Sequence, residues 1–566
     1  MHFKSPMTPH RCLLITPVAA LLLLAAGAGL GCTARAAAQP DAEARGPVVN
    51  APAGSLQGRR EGGLNVFKGV PYAMPPVGER RWRPPAPMPP WSGTRSAIAF
   101  GAACPQPVSQ LTNIYAEKPM PMSEDCLTLN IWAPRHVHKA PVYFFIHGGA
   151  LIGGSSREPM YNGTRLAERG LVVVTINYRL GVLGWLALPE LSRESPQGIS
   201  GNYGLLDQIE ALRWVRRNIG SFGGDPANVT IAGESAGALS VMYLMASPPA
   251  RGLFAKAIAE SAYMVSTPEL KKTSYGSPSA EASGQRLETL LHAQNLAALR
   301  AMDAMKLSAE SLADGYMPWG TVDGHILPDQ LVNVFDKGEQ AHVPILTGFN
   351  SGEIRSLRIL APKPPATAAD YDAIIQQRYG DLAQEFLRLY PGTNMEESIL
   401  ATTRDALYGW TAERLVRKQE ALGQASYLYF WDHDYPAAEK AGLHAFHASE
   451  LPFVFGTFAD TPPLWPKVPA TPGETALSSA VIGYWTSFVR DGRPRAANEP
   501  DWPPFGATHA YMDFTSAPHP STDLMPGMYR LDEQVVCRRR VAGDLAWNWN
   551  VGVASPKNPG PTAQCP

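Results

Sequence analysis

Short, uninterrupted apolar runs alternate along this chain with stretches whose apolar residues recur every three or four positions. Residues 141–149 (PVYFFIHGG) and 171–180 (LVVVTINYRL) belong to the first kind. Neither alternates polar with apolar, as expected of strands covered on both faces, and the second is rich in β-branched residues. Leu205, Ile209, Leu212, Val215 and Ile219 belong to the second kind. Their spacing predicts an amphipathic helix over residues 203–218. Arg213, Arg216 and Arg217 near its end suit the negative pole of a helix dipole. Residues 228–232 (NVTIA), 255–261 (AKAIAES), 343–349 (VPILTGF) and 426–432 (SYLYFWD) read as further strands. This alternation predicts an α/β fold: a mainly parallel sheet with helices on both faces. Residues 267–320 and 363–408 carry helical patterning and are expected to form lobes over the sheet.

One junction in this pattern carries chemistry. Gly233-Glu234-Ser235-Ala236-Gly237 lies between a predicted strand and a predicted apolar helix that runs to Leu244. In that context G-x-S-x-G is a nucleophile elbow. The turn forces the serine into a strained backbone conformation, and the flanking glycines let neighbouring elements close in. The helix N-terminus then favours negative charge developing at the serine. Earlier in the chain, His147-Gly148-Gly149-Ala150 follows another predicted strand. Serine hydrolases use such a loop to present backbone N–H groups to an oxyanion. This assigns the donors to Gly149, Ala150 and Ala236.

Charge and composition narrow the picture. The 566 residues carry 49 basic and 50 acidic side chains, which excludes the basic face that nucleic acids select. The clusters RRWRPP (80–85) and CRRRV (537–541) read as solvated surface or local ion pairs. The N-terminus has a basic stretch (Lys4, His10, Arg11), an apolar run over 13–24, and then TARAAAQP. This predicts a signal peptide over residues 1–38 and an exported protein with no stable membrane span. Pro17 and the glycines argue against a membrane anchor. A lipid anchor on Cys32 is the weaker alternative, since Gly29 stands where such motifs place leucine. The remaining chain, 39–566, reads as one domain, with no composition shift or linker to divide it. It keeps four cysteines, Cys104, Cys126, Cys537 and Cys565. An even number in an exported chain suggests disulfides, and two local loops are the simplest of three pairings. No Cys/His cluster has metal-ligand spacing, so no metal or cofactor is expected.

The sequence also resembles the type-B carboxylesterase family, which includes the cholinesterases. FGGDPANVTIAGESAG (222–237) and EDCLTLNIWAP (124–134) match its two signatures. FKGVPYAMPPVGERRWRPPAP (67–87) and INYRLGVLGWL (176–186) extend the likeness over roughly residues 47–550. The resemblance implies an α/β-hydrolase fold and a triad in the order serine, acid, histidine. Its G-x-N-x-x-E segment falls on 348–353, which makes Glu353 the acid. Its histidine precedes an E-x-x-F-V-F-G run, and the spacing in HAFHASELPFVFG (444–456) favours His447 over His444. It also implies a Cys104–Cys126 bond, an electrostatic role for Glu234, and a supporting role for Ser261. The chain departs from the cholinesterases in one respect. The loop between Cys104 and Cys126 contains no Trp to hold a choline cation by cation–π contact. Ala116 stands at that position, with Tyr115 beside it. The implied activity is hydrolysis of a small or medium-sized ester through an acyl-enzyme. A lipase, amidase or carbamate hydrolase would use the same triad. A non-catalytic binding protein of this family typically lacks a triad residue. Oligomeric state is not readable from the sequence.

Overall fold

A computed structural model describes residues 46–108, 113–548 and 551–565. The predicted leader therefore lies outside the described residues. Gly46–Pro566 forms one compact unit. Strands β1 (Val48–Ala51), β2 (Gly54–Gln57) and β5 (Thr94–Ser96) make a small sheet. The main sheet has eleven strands. Their order is β14 (Pro518–Thr522), β13 (Ala510–Phe514), β12 (Ser426–Trp431), β11 (Ile345–Asn350), β10 (Lys256–Glu260), β9 (Gly224–Glu234), β7 (Ala140–Ile146), β8 (Val172–Ile176), β6 (Thr128–Pro134), β4 (Leu64–Pro71) and β3 (Arg59–Glu61). Every neighbouring pair from β8 to β13 is parallel; antiparallel pairs form only at the two margins.

The apolar runs occupy the middle of this sheet because both of its faces are covered. Val142, Phe144 and Ile146 of β7 enter one core, while Tyr143 and Phe145 enter the other. Successive strand side chains point to opposite faces, so a strand buried twice must be apolar throughout. The first face is covered by helix Tyr203–Asn218, which buries Leu205, Ile209, Leu212 and Val215. The second is covered by helix Pro472–Asp491 through Leu477, Val481, Trp485 and Phe488. Helices Ala280–Leu290, Leu296–Ala301 and Ala304–Ala313 fall within the first predicted helical stretch. Helices Ala368–Tyr379, Ala383–Leu389 and Met395–Arg404 fall within the second.

The margins are less apparent from patterning. Strand β6 carries Asn130 at 1% exposure. Its amide accepts from Gly69 N and donates to Ser156 and Thr175, so a polar residue is fully satisfied in a buried strand. The basic clusters form ion pairs: Arg81 grips Glu124 with two nitrogens, and Arg538 grips Asp381 likewise. Both predicted disulfides are formed, Cys104–Cys126 and Cys537–Cys565. Among the described residues, no helix is long and apolar enough to cross a membrane.

Candidate active site

The parallel strands deliver the chemistry at their carboxyl ends, where open α/β sheets place their sites. Strand β7 leads into His147, β9 into Ser235, β10 into Ser261, and β11 into the turn holding Glu353.

Ser235 has φ 56° and ψ −120°, between β9 and helix Ala236–Ala246. An L-residue adopts this geometry only under constraint. The constraint is close packing. A Cβ on Gly233 would lie 2.5 Å from the Gly237 carbonyl carbon, and one on Gly237 would lie 2.1 Å from the Ile146 oxygen. Only glycine at both positions lets strand, turn and helix approach this closely. Ser235 N donates to Glu260 O at 2.9 Å, which ties the turn to the next strand. The serine side chain stays partly accessible between buried neighbours.

The Gly-rich loop lies against it. A Cβ on Gly148 would come within 3.2 Å of Ser235 Cβ and 2.8 Å of Glu234 Oε2. Ala150 and Leu151 both hold positive φ (56° and 61°) in the turn after Gly149. That turn is closed by Ile152 N and Gly153 N, both donating to Gly149 O at 3.0 Å. His147 anchors the loop from below: its ring stacks on Tyr178 at 4.6 Å, and its carbonyl accepts from the Tyr178 hydroxyl at 3.0 Å. Burial depresses the His147 pKa to about 4, so it is a neutral packing group. Among the described residues, the N–H groups of Gly149, Ala150 and Ala236 donate to no protein acceptor.

Glu353 is fully buried. One carboxylate oxygen accepts from Ser261 Oγ at 2.6 Å and from Asn350 N at 2.9 Å; the other contacts His447 Nδ1. A carboxylate only accepts, so Nδ1 carries the proton. His447 Nε2 lies 3.1 Å from Glu234 Oε1, an ion-pair contact rather than an aligned hydrogen bond. Among the described residues, no hydrogen bond joins the imidazole to Ser235 Oγ. Such contacts commonly tighten only when substrate is bound. His444, the alternative histidine, sits at the surface with Asp434 Oδ2 at 2.9 Å.

The site's charge is concentrated around His447. Burial opposes its protonation, but Glu234, Glu353 and Glu450 outweigh that and raise its pKa to about 9. Burial lifts the Glu234 carboxyl to about 8, with the His447 charge pulling the other way. Burial also lifts Glu450, to about 7, against its bond from Asn350 Nδ2. Sequence reasoning overlooked Glu450 and Asn350. The available signal was that Asn350 is the N of the G-x-N-x-x-E segment and Glu450 the E of the E-x-x-F-V-F-G run. The resemblance brings these two segments together through Glu353 and His447, but it says nothing of the Asn350–Glu450 contact.

The carboxylesterase family model matches residues 45–525. Fumonisin B1 esterase of Sphingopyxis macrogoltabida is 35% identical over 489 residues, covering 83% of this chain and 86% of that protein. Para-nitrobenzyl esterase of Bacillus subtilis strain 168 is 35% identical over 472 residues, covering 81% and 92%. A solved PNB esterase structure aligns with TM-score 0.75 at 31% identity, over 86% of this chain and 99% of its own. A thermophilic PNB esterase aligns with TM-score 0.72 at 31% identity, over 84% and 97%. The sheet order, the serine turn and the matches across most of the chain agree: this α/β-hydrolase-fold protein belongs to the carboxylesterase family and is a carboxylic ester hydrolase.

Proposed function

We propose that hydrolysis runs through Ser235, His447 and Glu353 with a covalent acyl-enzyme. In its neutral form, with the Nε2 proton lost to solvent, His447 turns Nε2 from Glu234 and takes the Ser235 Oγ proton as that oxygen attacks the ester carbonyl. Glu353 holds the Nδ1–H tautomer and stabilises the imidazolium. The N–H groups of Gly149, Ala150 and Ala236 receive the oxyanion of the tetrahedral intermediate. The alcohol departs with the proton from His447, and water repeats the sequence on the acyl group. The observation that carries this reading is the contact of His447 Nδ1 with a fully buried Glu353, at the sheet end where the strained Ser235 turn emerges.

No step in this scheme calls on a metal or cofactor. Residues 39–566 would be the single exported domain left after removal of the leader. Two disulfides suit an oxidising compartment. The substrate is a small or medium-sized ester, in keeping with relatives named for p-nitrobenzyl and fumonisin B1 esters.

The test is hydrolysis of a p-nitrophenyl acyl series, acetate to palmitate, by wild type and Ser235→Ala, with a fluorophosphonate label on the serine. Turnover peaking at short or medium chains, and lost together with the label in the variant, supports the reading. Substantial turnover by folded Ser235→Ala would falsify it.

A further inference from the structure

Three successive main-chain carbonyls of the turn bearing His447 are each held from outside that turn. Ala445 O accepts from Gly352 N at 2.8 Å, and Phe446 O accepts from Asn350 Nδ2 at 2.8 Å. His447 O accepts from the Tyr115 phenol at 3.0 Å. The first two donors lie beside Glu353 in the chain. Tyr115 lies 332 residues from His447, inside the loop closed by Cys104–Cys126. Its oxygen is also 2.6 Å from Ser356 Oγ, at the end of the short helix Glu353–Ser356.

A phenol has one proton to give. Ser356 Oγ and His447 O both lie within reach of that proton, at 2.6 and 3.0 Å, and Ser356 Oγ in turn donates to Glu353 O at 3.4 Å. The phenol therefore stands between the Glu353–Ser356 helix and the His447 turn, bonded to both. The ring is wedged edge-on between Trp465, at 5.8 Å, and His447, at 6.3 Å. Loss of surrounding water raises the phenol well above its ordinary pKa, so the proton stays in place.

We propose that Tyr115 is a positioning residue for ester hydrolysis: its hydroxyl ties the disulfide-closed loop to the turns carrying Glu353 and His447 and holds the imidazole in register with its acid. This rests on the roles given above to Glu353 and His447. The bonds at Ala445 and Phe446 bring the turn to Glu353. The bond at Phe446 O acts on the peptide that carries His447 N and the bond from Tyr115 on the peptide that carries His447 C=O, so together they hold the His447 backbone on either side of its Cα. Small displacements of a reacting group are costly in rate, and Tyr115 removes that freedom from a third segment of the chain.

The test compares wild type, Tyr115→Phe, Ser356→Ala and Ser235→Ala on p-nitrophenyl butyrate, with active sites counted by fluorophosphonate labelling. Tyr115→Phe keeps the ring and loses only the hydroxyl. Its kcat per labelled site is expected to fall about tenfold, the worth of one well-placed hydrogen bond, with KM within about twofold. The acid limb of kcat/KM is expected to move to lower pH. The ionisable groups facing the imidazole are Glu234, Glu353 and Glu450, with the neutral phenols of Tyr115 and Tyr408. A looser contact with Glu353 stabilises the imidazolium less. Ser356→Ala is expected to shift both quantities the same way by less. It decides the matter if Tyr115→Phe does not fold. A wild-type kcat per labelled site with an unmoved acid limb, even with lowered Tm, overturns the proposal and leaves Tyr115 a packing group. Turnover by Ser235→Ala would instead overturn the reading beneath it.

Discussion

The serine half of the proposed site and its acid–histidine half are built on different principles. The serine half is one continuous segment, strand β9, a single strained residue, and a helix. Steric exclusion shapes it: two missing side chains, at Gly233 and Gly237, let backbone meet backbone. The acid–histidine half joins residues 94 apart. It is assembled in a buried place by hydrogen bonds from Ser261, Asn350, Gly352 and Tyr115, among four buried carboxylates, Glu234, Glu260, Glu353 and Glu450. The first half is therefore sensitive to added volume, and the second to removed polarity or charge.

The widest separation between the halves is expected from Glu353→Gln. The amide keeps the volume but no longer holds the imidazolium, so kcat is expected to drop about 10⁴-fold with little change in the unfolding midpoint. Steady-state kinetics and thermal unfolding of the same preparation check this. A loss below tenfold would show that another carboxylate serves as the acid.

Gly237→Ala attacks the other half. The added methyl has no room beside the Ile146 carbonyl. Stability is expected to fall by about 3 kcal/mol, with kcat per folded molecule down by about 100-fold as the turn opens. Denaturant unfolding monitored alongside activity separates the two effects. A silent substitution here would remove sterics as the basis of the serine turn.

Glu234→Gln tests charge without volume. The proposed mechanism needs neutral His447, so kcat/KM is expected to climb as pH rises through its titration, raised to about 9 in the native site. Removing the Glu234 charge takes away the largest of the groups that oppose burial and hold that proton. The acid limb is expected to move to lower pH, with a change of only a few fold at the plateau. A limb that stays in place or moves to higher pH would show that Glu234 does not set the proton affinity of His447.

The smallest effect on catalysis is expected far from both halves. Cys537→Ser opens a loop of 28 residues, worth about 3 kcal/mol by chain entropy. The unfolding midpoint is expected to fall while kcat stays within about twofold. A large loss of kcat would mean that the C-terminal tail reaches the site.

The same contrast governs how much of this protein could be read before its structure. The central strands and helix Tyr203–Asn218 were visible because burial on one face or two leaves a periodic mark on the residues themselves. The marginal strands were not: β6 carries Asn130 in its interior, satisfied by partners that arrive from elsewhere in the chain. Likewise the Ser235 motif carries its own geometry in five residues. Choosing Glu353 and His447 needed the family likeness, because neither has a local pattern that sets it apart from other acids and histidines. Tyr115 was noticed only as a neighbour of the position that lacks a tryptophan, with no hint of what its hydroxyl touches.

By itself, then, the sequence determined the parallel α/β core, the strained serine with its glycines, the Gly-rich loop ahead of it and the even set of cysteines. Each is dictated within one segment by periodicity, sterics or composition. Only the tertiary structure decided which carboxylates crowd His447, that its Nε2 rests beside Glu234, and that Tyr115 spans the acid and histidine turns. Those contacts join segments up to 332 residues apart. Hydrogen bonds and charges act over a few ångströms in space, and separation along the chain leaves no trace of them in composition or spacing.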